Sequence, residues 1–368
     1  MEWVRGEILG HGSFGTVSLA KPKRQSSQEI IPQLMAVKSC GVSCSASLVN
    51  EKVILDEFRD CPEIIQCYGD SFSFEKGEKL YNLFLEYASG GALADKLKNS
   101  CNSGLPENEV RRYAKGILRG LNCIHKNGFV HCDIKLQNIL LSRDGAVKIA
   151  DFGLAKRLVV GLEKEGNLGC ELRGTPLYMS PEMVTGGDQS SPADIWALGC
   201  LVAEMFTGAP AWRCSDIAAL LMRIGVGDEV PEIPGKLSEE GKDFMRKCFV
   251  KDPKKRWTAE MLLNHPFVSD DDEDGDHSTV TLKEVPSASP RCTFDFPDWV
   301  SQQSSLTSSS ITSLSSPESS PDSHSWFSGQ ESNSFDGSWS ISPAERLRGL
   351  ISDDQVDWFG SDDWLNIR

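Results

Sequence analysis

The chain has 368 residues, 39% of them hydrophobic, and a formal net charge of −15. Beyond residue 268 lie 19 of the 53 acidic residues but only 5 of the 38 basic ones, so the first 268 residues are nearly neutral. That balance gives no support to nucleic-acid binding, and no apolar run approaches the roughly 18 residues that span a bilayer.

In chain order, short alternating apolar patterns predict strands at Trp3–Leu9, Thr16–Ala20 and Leu34–Ser39. The first two flank Gly10-His11-Gly12-Ser13-Phe14-Gly15-Thr16-Val17, a G-x-G-x-x-G-x-V loop. Such a loop lets backbone approach phosphate oxygens with no Cβ in the way. Strand-like sequence on both sides sets it apart from a dinucleotide fingerprint, which opens a helix; on this motif alone a plain hairpin turn stays open. Lys38 follows in an apolar strand, where an ammonium needs anions to be tolerated. Glu51 lies thirteen residues on, in a helical pattern over 46–58. Further strands are predicted at Ile64–Tyr68 and Leu80–Glu86, helical patterns dominate from Leu93, and a hairpin is predicted across Ile139–Ile149. A strand-rich part followed by a helix-rich part predicts an α+β chain with a small and a large lobe.

His131-Cys132-Asp133-Ile134-Lys135-Leu136-Gln137-Asn138 sits between the apolar runs Phe129-Val130 and Ile139-Leu140-Leu141, and so reads as a loop. Asp133 can orient a substrate hydroxyl and accept its proton. Lys135 can reach a transferring phosphate, and Asn138 offers an oxygen to a hard cation. Asp151-Phe152-Gly153 follows thirteen residues after Asn138, at the end of a strand pattern. Phosphoryl transfer needs charge neutralisation and in-line positioning, and these segments supply both.

At these residues the chain resembles the eukaryotic serine/threonine protein kinase family over about residues 3–268. The resemblance implies the two-lobed fold, ATP and Mg²⁺ as cofactors, and a set of site residues. Asp133, Lys135, Lys38 and Glu51 would be catalytic, and Asn138 and Asp151 would hold the metal. Leu9, Gly10, Gly12, Ser13, Gly15, Val17, Ala36, Lys38, Leu85, Glu86 and Ala88 would line the nucleotide site. Thr175 would position substrate; Glu182, Asp194 and Arg256 would be structural. Leu55, Cys67, His131 and Phe152 fall where the family stacks an internal apolar column. Lys135 marks the serine/threonine type. Trp3-Val4-Arg5-Gly6, Glu86-Tyr87-Ala88-Ser89-Gly90-Gly91 and Gly174 to Glu182 are similar to the plant MEKK-like mitogen-activated protein kinase kinase kinases. That likeness implies a downstream kinase kinase as protein substrate. The alternatives are a serine/threonine kinase outside that cascade and a pseudokinase scaffold, although all four residues that a pseudokinase would lose are present.

The chain departs from the family pattern in places. Cys132 replaces the arginine that usually meets a phosphorylated activation loop, and the stretch 154–173 contains no Ser, Thr or Tyr. The expectation is an activity set by abundance, a partner or the tail, and not by phosphorylation of that stretch. Ser180-Pro181-Glu182 stands where the family usually has Ala-Pro-Glu.

After Val268 the composition turns acidic and then Ser-rich, which predicts a disordered tail over 269–368 with the kinase domain over 1–268. Phe294, Phe296, Trp299, Trp326, Trp339, Trp358 and Trp364 form aromatic islands within it, candidate docking motifs for a regulatory partner or a downstream kinase. Ser289, Ser316, Ser320 and Ser342 each precede a proline, as proline-directed phosphorylation requires. The 12 cysteines contain no Cys-x-x-Cys pair, and neither end carries a signal-peptide or lipidation pattern. The expected location is cytoplasmic, with Lys254-Lys255-Arg256 as a candidate import signal for the nucleus.

Overall fold

The computed structural model describes residues 2–12, 14–23, 32–100, 103–158, 173–186, 189–214 and 216–269. The expectations for Ser13, for most of 154–173 and for the tail beyond 269 lie outside these residues.

The small lobe is one antiparallel sheet built from β1 (Trp3–Gly12), β2 (Gly15–Pro22), β3 (Met35–Gly41), β4 (Cys67–Glu75) and β5 (Glu78–Glu86), in the order β1-β2-β3-β5-β4. Helix α1 (Ala46–Leu55) interrupts it between β3 and β4 and continues as a single 3-10 turn to Phe58. The Gly-rich loop is the β1–β2 hairpin, with Gly12 paired to Gly15. Gly15 has φ +146°, and a Cβ there would meet the Ser39 carbonyl oxygen at 2.4 Å, so no other residue fits.

One expected strand is displaced. Ile64 makes only an isolated bridge to Ile149, and β4 begins at Cys67 and runs through Asp70-Ser71-Phe72-Ser73-Phe74. β4 is an edge strand whose Asp70, Phe72 and Phe74 face outward, so its burial signal is weak in the sequence. Ile64 and Ile65 are instead buried in the main core.

The large lobe is helical: α2 (Leu93–Asn99), α3 (Glu107–Lys126), α4 (Pro181–Gly186), α5 (Ser191–Thr207), α6 (Ile217–Gly225), α7 (Glu239–Cys248) and α8 (Ala259–Leu263). Two small strand pairings frame the loops: β6 (Phe129–Val130) with β9 (Lys156–Arg157), and β7 (Ile139–Leu141) with β8 (Val147–Ile149). α3 buries Val110, Tyr113, Ala114, Ile117, Leu118, Leu121 and Ile124 at helical spacing. α5 is buried almost all round and ends on Gly208 in the left-handed region, φ +72°. The main core runs continuously from Leu48 and Leu55 on α1 through Ile149 and Phe152 to Trp196 on α5. The lobes therefore share packing exactly where the loops of interest lie between them.

Candidate active site

Lys38 points from β3 toward α1. Its ammonium donates to Glu51 Oε2 at 2.7 Å and to Asp151 Oδ1 at 2.8 Å. Glu51 is fully buried, and its second oxygen accepts the Phe152 N–H at 3.1 Å. One carboxylate thus ties the strand, the helix and the 151–153 segment together. Asn50 and Ser47 on the same helix donate to the carbonyls of Ala155 and Gly153. Gly153 is required for this approach, because a Cβ would lie 2.6 Å from Ser47 Oγ and 3.0 Å from the Phe14 ring.

The electrostatics separate the two acids. Burial pushes the Glu51 carboxyl up against the pull of Lys38. Burial also opposes ionisation of Asp151, but the Lys38 charge and hydrogen bond outweigh it and hold that carboxyl below its ordinary value. Lys38 loses by burial and gains more from Asp151 and Glu51, so its ammonium stays protonated. Asp151 is the firmly ionised acid, and its side chain remains 26% exposed. It adopts φ +65°, a left-handed conformation that costs a non-glycine residue of order 1 kcal/mol and recurs at functional sites.

The second cluster belongs to the large lobe. Asp133 Oδ2 lies 2.7 Å from the Lys135 ammonium, and Asp133 Oδ1 accepts the Thr175 hydroxyl at 2.7 Å and the Thr175 N–H at 3.0 Å. Lys135 donates to Thr175 Oγ1 at 3.1 Å. Asn138 Nδ2 donates to the Asp133 carbonyl at 2.8 Å and to its Oδ2 at 3.2 Å. Gly174 (φ +102°) lets Thr175 come this close, since a Cβ would meet the Cys132 carbonyl at 2.6 Å. The two clusters form one site: the Ala150 N–H donates to the Asn138 carbonyl at 2.9 Å, and the Lys135 charge also helps lower Asp151.

Beneath the loop, Asp194 in the first turn of α5 accepts the backbone N–H groups of His131 and Cys132, each at 3.0 Å, and faces His125 Nε2 at 2.9 Å. Burial opposes its charge, and these donors hold its carboxyl below the usual value. The His131 ring stacks edge-on to Phe152 at 4.8 Å, and Phe58 lies 5.8 Å from Phe152. Cys132 is buried at φ +70°; burial, with the Asp194 charge, pushes its thiol far up, leaving a neutral group. Glu182 and Arg256 form a bidentate pair at 2.6 and 2.9 Å. Arg256 is therefore interior, and only Lys254 and Lys255 of the basic triplet are exposed.

Leu9, Ala36 and Leu85 join the main core and Val17 packs against it, giving the cleft an apolar roof next to Gly10, Gly12 and Gly15. Phe14 lies over the Lys38 ammonium at 5.7 Å. Glu86 pairs with Lys148 at 2.9 Å, and the Ala88 carbonyl accepts the Gly91 N–H. Among the described residues no three His, Cys, Asp or Glu side chains converge on a metal position. The oxygen donors beside Lys135 are the ionised Asp151 and the Asn138 amide, a set that suits a hard divalent cation whose other ligands are phosphates and water.

Sequence reasoning missed His125, which orients Asp194, and the Tyr178–Glu204 pair, whose oxygens lie 2.5 Å apart under the 174–182 segment. His125 had a signal, a lone polar residue on the apolar face of α3; Glu204 had none, sitting in an unbroken helical pattern.

A family model described as protein kinase domain matches residues 3–268. Over its whole length the chain is 50% identical to mitogen-activated protein kinase kinase kinase 20 of Arabidopsis thaliana, and all of that protein is covered. It is 40% identical to mitogen-activated protein kinase kinase kinase 17 of the same plant, over 73% of this chain and 70% of that one. Mitogen-activated protein kinase kinase kinase 3 of Mus musculus is 35% identical over 73% of this chain and 42% of its own.

Proposed function

This chain belongs to the protein kinase family, and from that premise we propose that it is a mitogen-activated protein kinase kinase kinase. It would transfer the γ-phosphate of ATP to serine or threonine hydroxyls of a downstream kinase kinase. The observation that carries the reading is the convergence of Lys38, Glu51 and Asp151 with Asp133, Lys135, Asn138 and Thr175 around one cleft.

Each residue has a chemical task there. Lys38, fixed by Glu51, presents its ammonium to the nucleotide phosphates. Asp133 already accepts one alcohol, that of Thr175, and can orient a substrate hydroxyl in the same way. Lys135 sits between Asp133 and Thr175, where its charge stabilises negative charge developing on the transferring group. Asp151 and Asn138 would hold Mg²⁺, which when bound neutralises phosphate charge. Asp194 and His125 fix the loop backbone so that Asp133 needs no reorganisation during transfer.

The neutral, buried Cys132 and the residue types in 154–173 support control by something other than a phosphate on that stretch. The plant relatives named above support the kinase-kinase substrate.

The test uses the full chain, Mg²⁺, labelled ATP and a panel of catalytically dead kinase kinases. Label should enter their activation loops, and Asp133→Asn should lower the rate about 10³-fold without changing the melting temperature. Phosphatase pretreatment should leave the rate unchanged. Labelling of generic substrates alone would place the enzyme outside the cascade, and an unaltered rate in Asp133→Asn would sink the mechanism.

A further inference from the structure

Cys61 sits in the turn that follows the 3-10 end of α1. Its N–H donates to the Phe58 carbonyl at 3.0 Å, and its own carbonyl accepts the Ile64 N–H at 3.2 Å. That turn is pressed against α3 of the large lobe. A Cβ on Gly120 would lie 3.3 Å from Glu63 Cβ and 2.6 Å from Ile149 Cδ1, so a glycine is needed where the helix passes. Cys123 stands three residues further along α3, on the face that Gly120 shares. The Cys61 and Cys123 thiols share a hydrogen bond. Cys61 Sγ also donates to Glu63 Oε2 at 3.7 Å. On the other side, the Asn127 amide donates to Cys123 Sγ at 3.8 Å and to the Cys123 carbonyl at 2.9 Å, which fixes that sulfur in place. Both cysteines are free thiols; Cys61 is buried and Cys123 half-buried. Cys200 and Cys248 are neighbours too, but both are wholly buried among apolar side chains.

Burial and the Cys123 hydrogen bond push the Cys61 thiol up to about 12, so it keeps its proton at neutral pH and is not the group that meets an oxidant first. We propose that Cys61 and Cys123 form an oxidation site, which hydrogen peroxide converts to a disulfide with Glu63 as the base. Cys123, the more exposed, attacks the peroxide as its thiolate. An S–O bond forms, the O–O bond breaks, and the leaving hydroxide takes up the Cys123 proton as water. Cys61 sulfur then attacks the sulfenic sulfur of Cys123 while its proton passes to Glu63 Oε2. The S–S bond forms, the S–O bond breaks, and the departing hydroxide recovers that proton as a second water. The two thiols are oxidised and the peroxide is reduced, and a thiol reductant reverses the step by exchange. Sulfurs that share a hydrogen bond lie a local movement away from the roughly 2 Å of a disulfide. The bond staples the turn behind α1, the helix that carries Glu51, to α3 of the large lobe.

The test treats the full chain with hydrogen peroxide, alkylates the remaining thiols and maps peptides without reduction. The first disulfide to form should join Cys61 to Cys123 within one molecule, as read from mixed heavy and light chains, and dithiothreitol should remove it. Dimedone present during oxidation should trap sulfenic acid at Cys123 about fivefold more in Cys61→Ser than in the parent, because the thiol that consumes it is gone. Glu63→Gln should slow the second step about tenfold and leave the first unchanged. In the linked chain, amide exchange over residues 46–58 should slow about threefold. Formation of another disulfide first, oxidation of either thiol to sulfinic acid without linkage, equal dimedone labelling of parent and variant, a second step indifferent to Glu63, or unchanged exchange in α1 would each overturn the proposal. The mapping and exchange readouts use the parent chain, so they hold even if a substituted chain folds poorly.

Discussion

Arg256 and Lys38 are both buried cations bonded to a glutamate, and the fold finishes one bonding set while leaving the other open. Arg256 uses all five of its N–H groups: two on Glu182, and one each on the carbonyls of Pro192, Val250 and Lys251. Its charge also lies 5.1 Å from the Trp196 ring. Lys38 spends two of three donors, on Glu51 and on Asp151, among the described residues. Its second partner is the 26% exposed one. A saturated pair can only hold segments together. An unsaturated one, opening on a cleft, can exchange a partner for a phosphate oxygen.

The sharpest way to break this contrast is to remove each cation. Lys38→Met should lower phosphoryl transfer about 10³-fold, or about 4 kcal/mol of barrier. It should cost only about 1–2 kcal/mol of stability, because Glu51, already pushed up by burial, takes a proton when its partner leaves. Arg256→Ala should do the reverse. It strands Glu182 and three carbonyls and should cost about 3–5 kcal/mol, with the rate per folded molecule within tenfold of the parent. Urea unfolding beside single-turnover rates measures both; a Lys38→Met chain that unfolds more easily than Arg256→Ala would erase the distinction.

A further acid, Glu204, sharpens the comparison because it has no cation among the described residues. Burial pushes Glu204 up to about 7, and the Tyr178 hydroxyl only partly offsets this. Between the unfolded carboxyl's ordinary range and pH 7 the folded chain holds a proton that the unfolded chain has lost. Stability from this group is therefore complete at low pH and falls as pH rises toward 7. Glu204→Gln keeps an acceptor for Tyr178 and removes the charge. It should match the parent near pH 5 and exceed it by on the order of 1–2 kcal/mol at pH 8. Equal differences at both pH values would mean that Glu204 is ionised throughout.

Asp133, Lys135 and Asn138 were legible in the sequence because one eight-residue loop carries all three, and Asp151 follows at fixed spacing. Short-range chemistry survives without knowledge of the fold. Glu51 was legible only as a partner that Lys38 required. Tyr178 and Glu204 were not, since 26 residues separate them and no local pattern marks either. The β4 edge was misplaced because an outward-facing Phe72 and Phe74 look like neither a core strand nor a polar loop.

The smallest expected effect is again a gain in stability. Ser180 replaces the alanine usual before Pro181-Glu182, at the end of the segment that Arg256 anchors. It is fully buried, and its hydroxyl has no hydrogen-bond partner among the described residues. Its backbone carbonyl does the structural work, accepting the N–H groups of Met183 and Val184. A buried hydroxyl without a partner keeps its desolvation cost and gains nothing in return. Ser180→Ala should therefore stabilise the domain by about 1 kcal/mol and leave activity unchanged, read as a rise in the urea midpoint at constant slope. A loss of stability would mean that the hydroxyl is bonded in solution, and that the anchor of Glu182 reaches one residue further than the Arg256 pair.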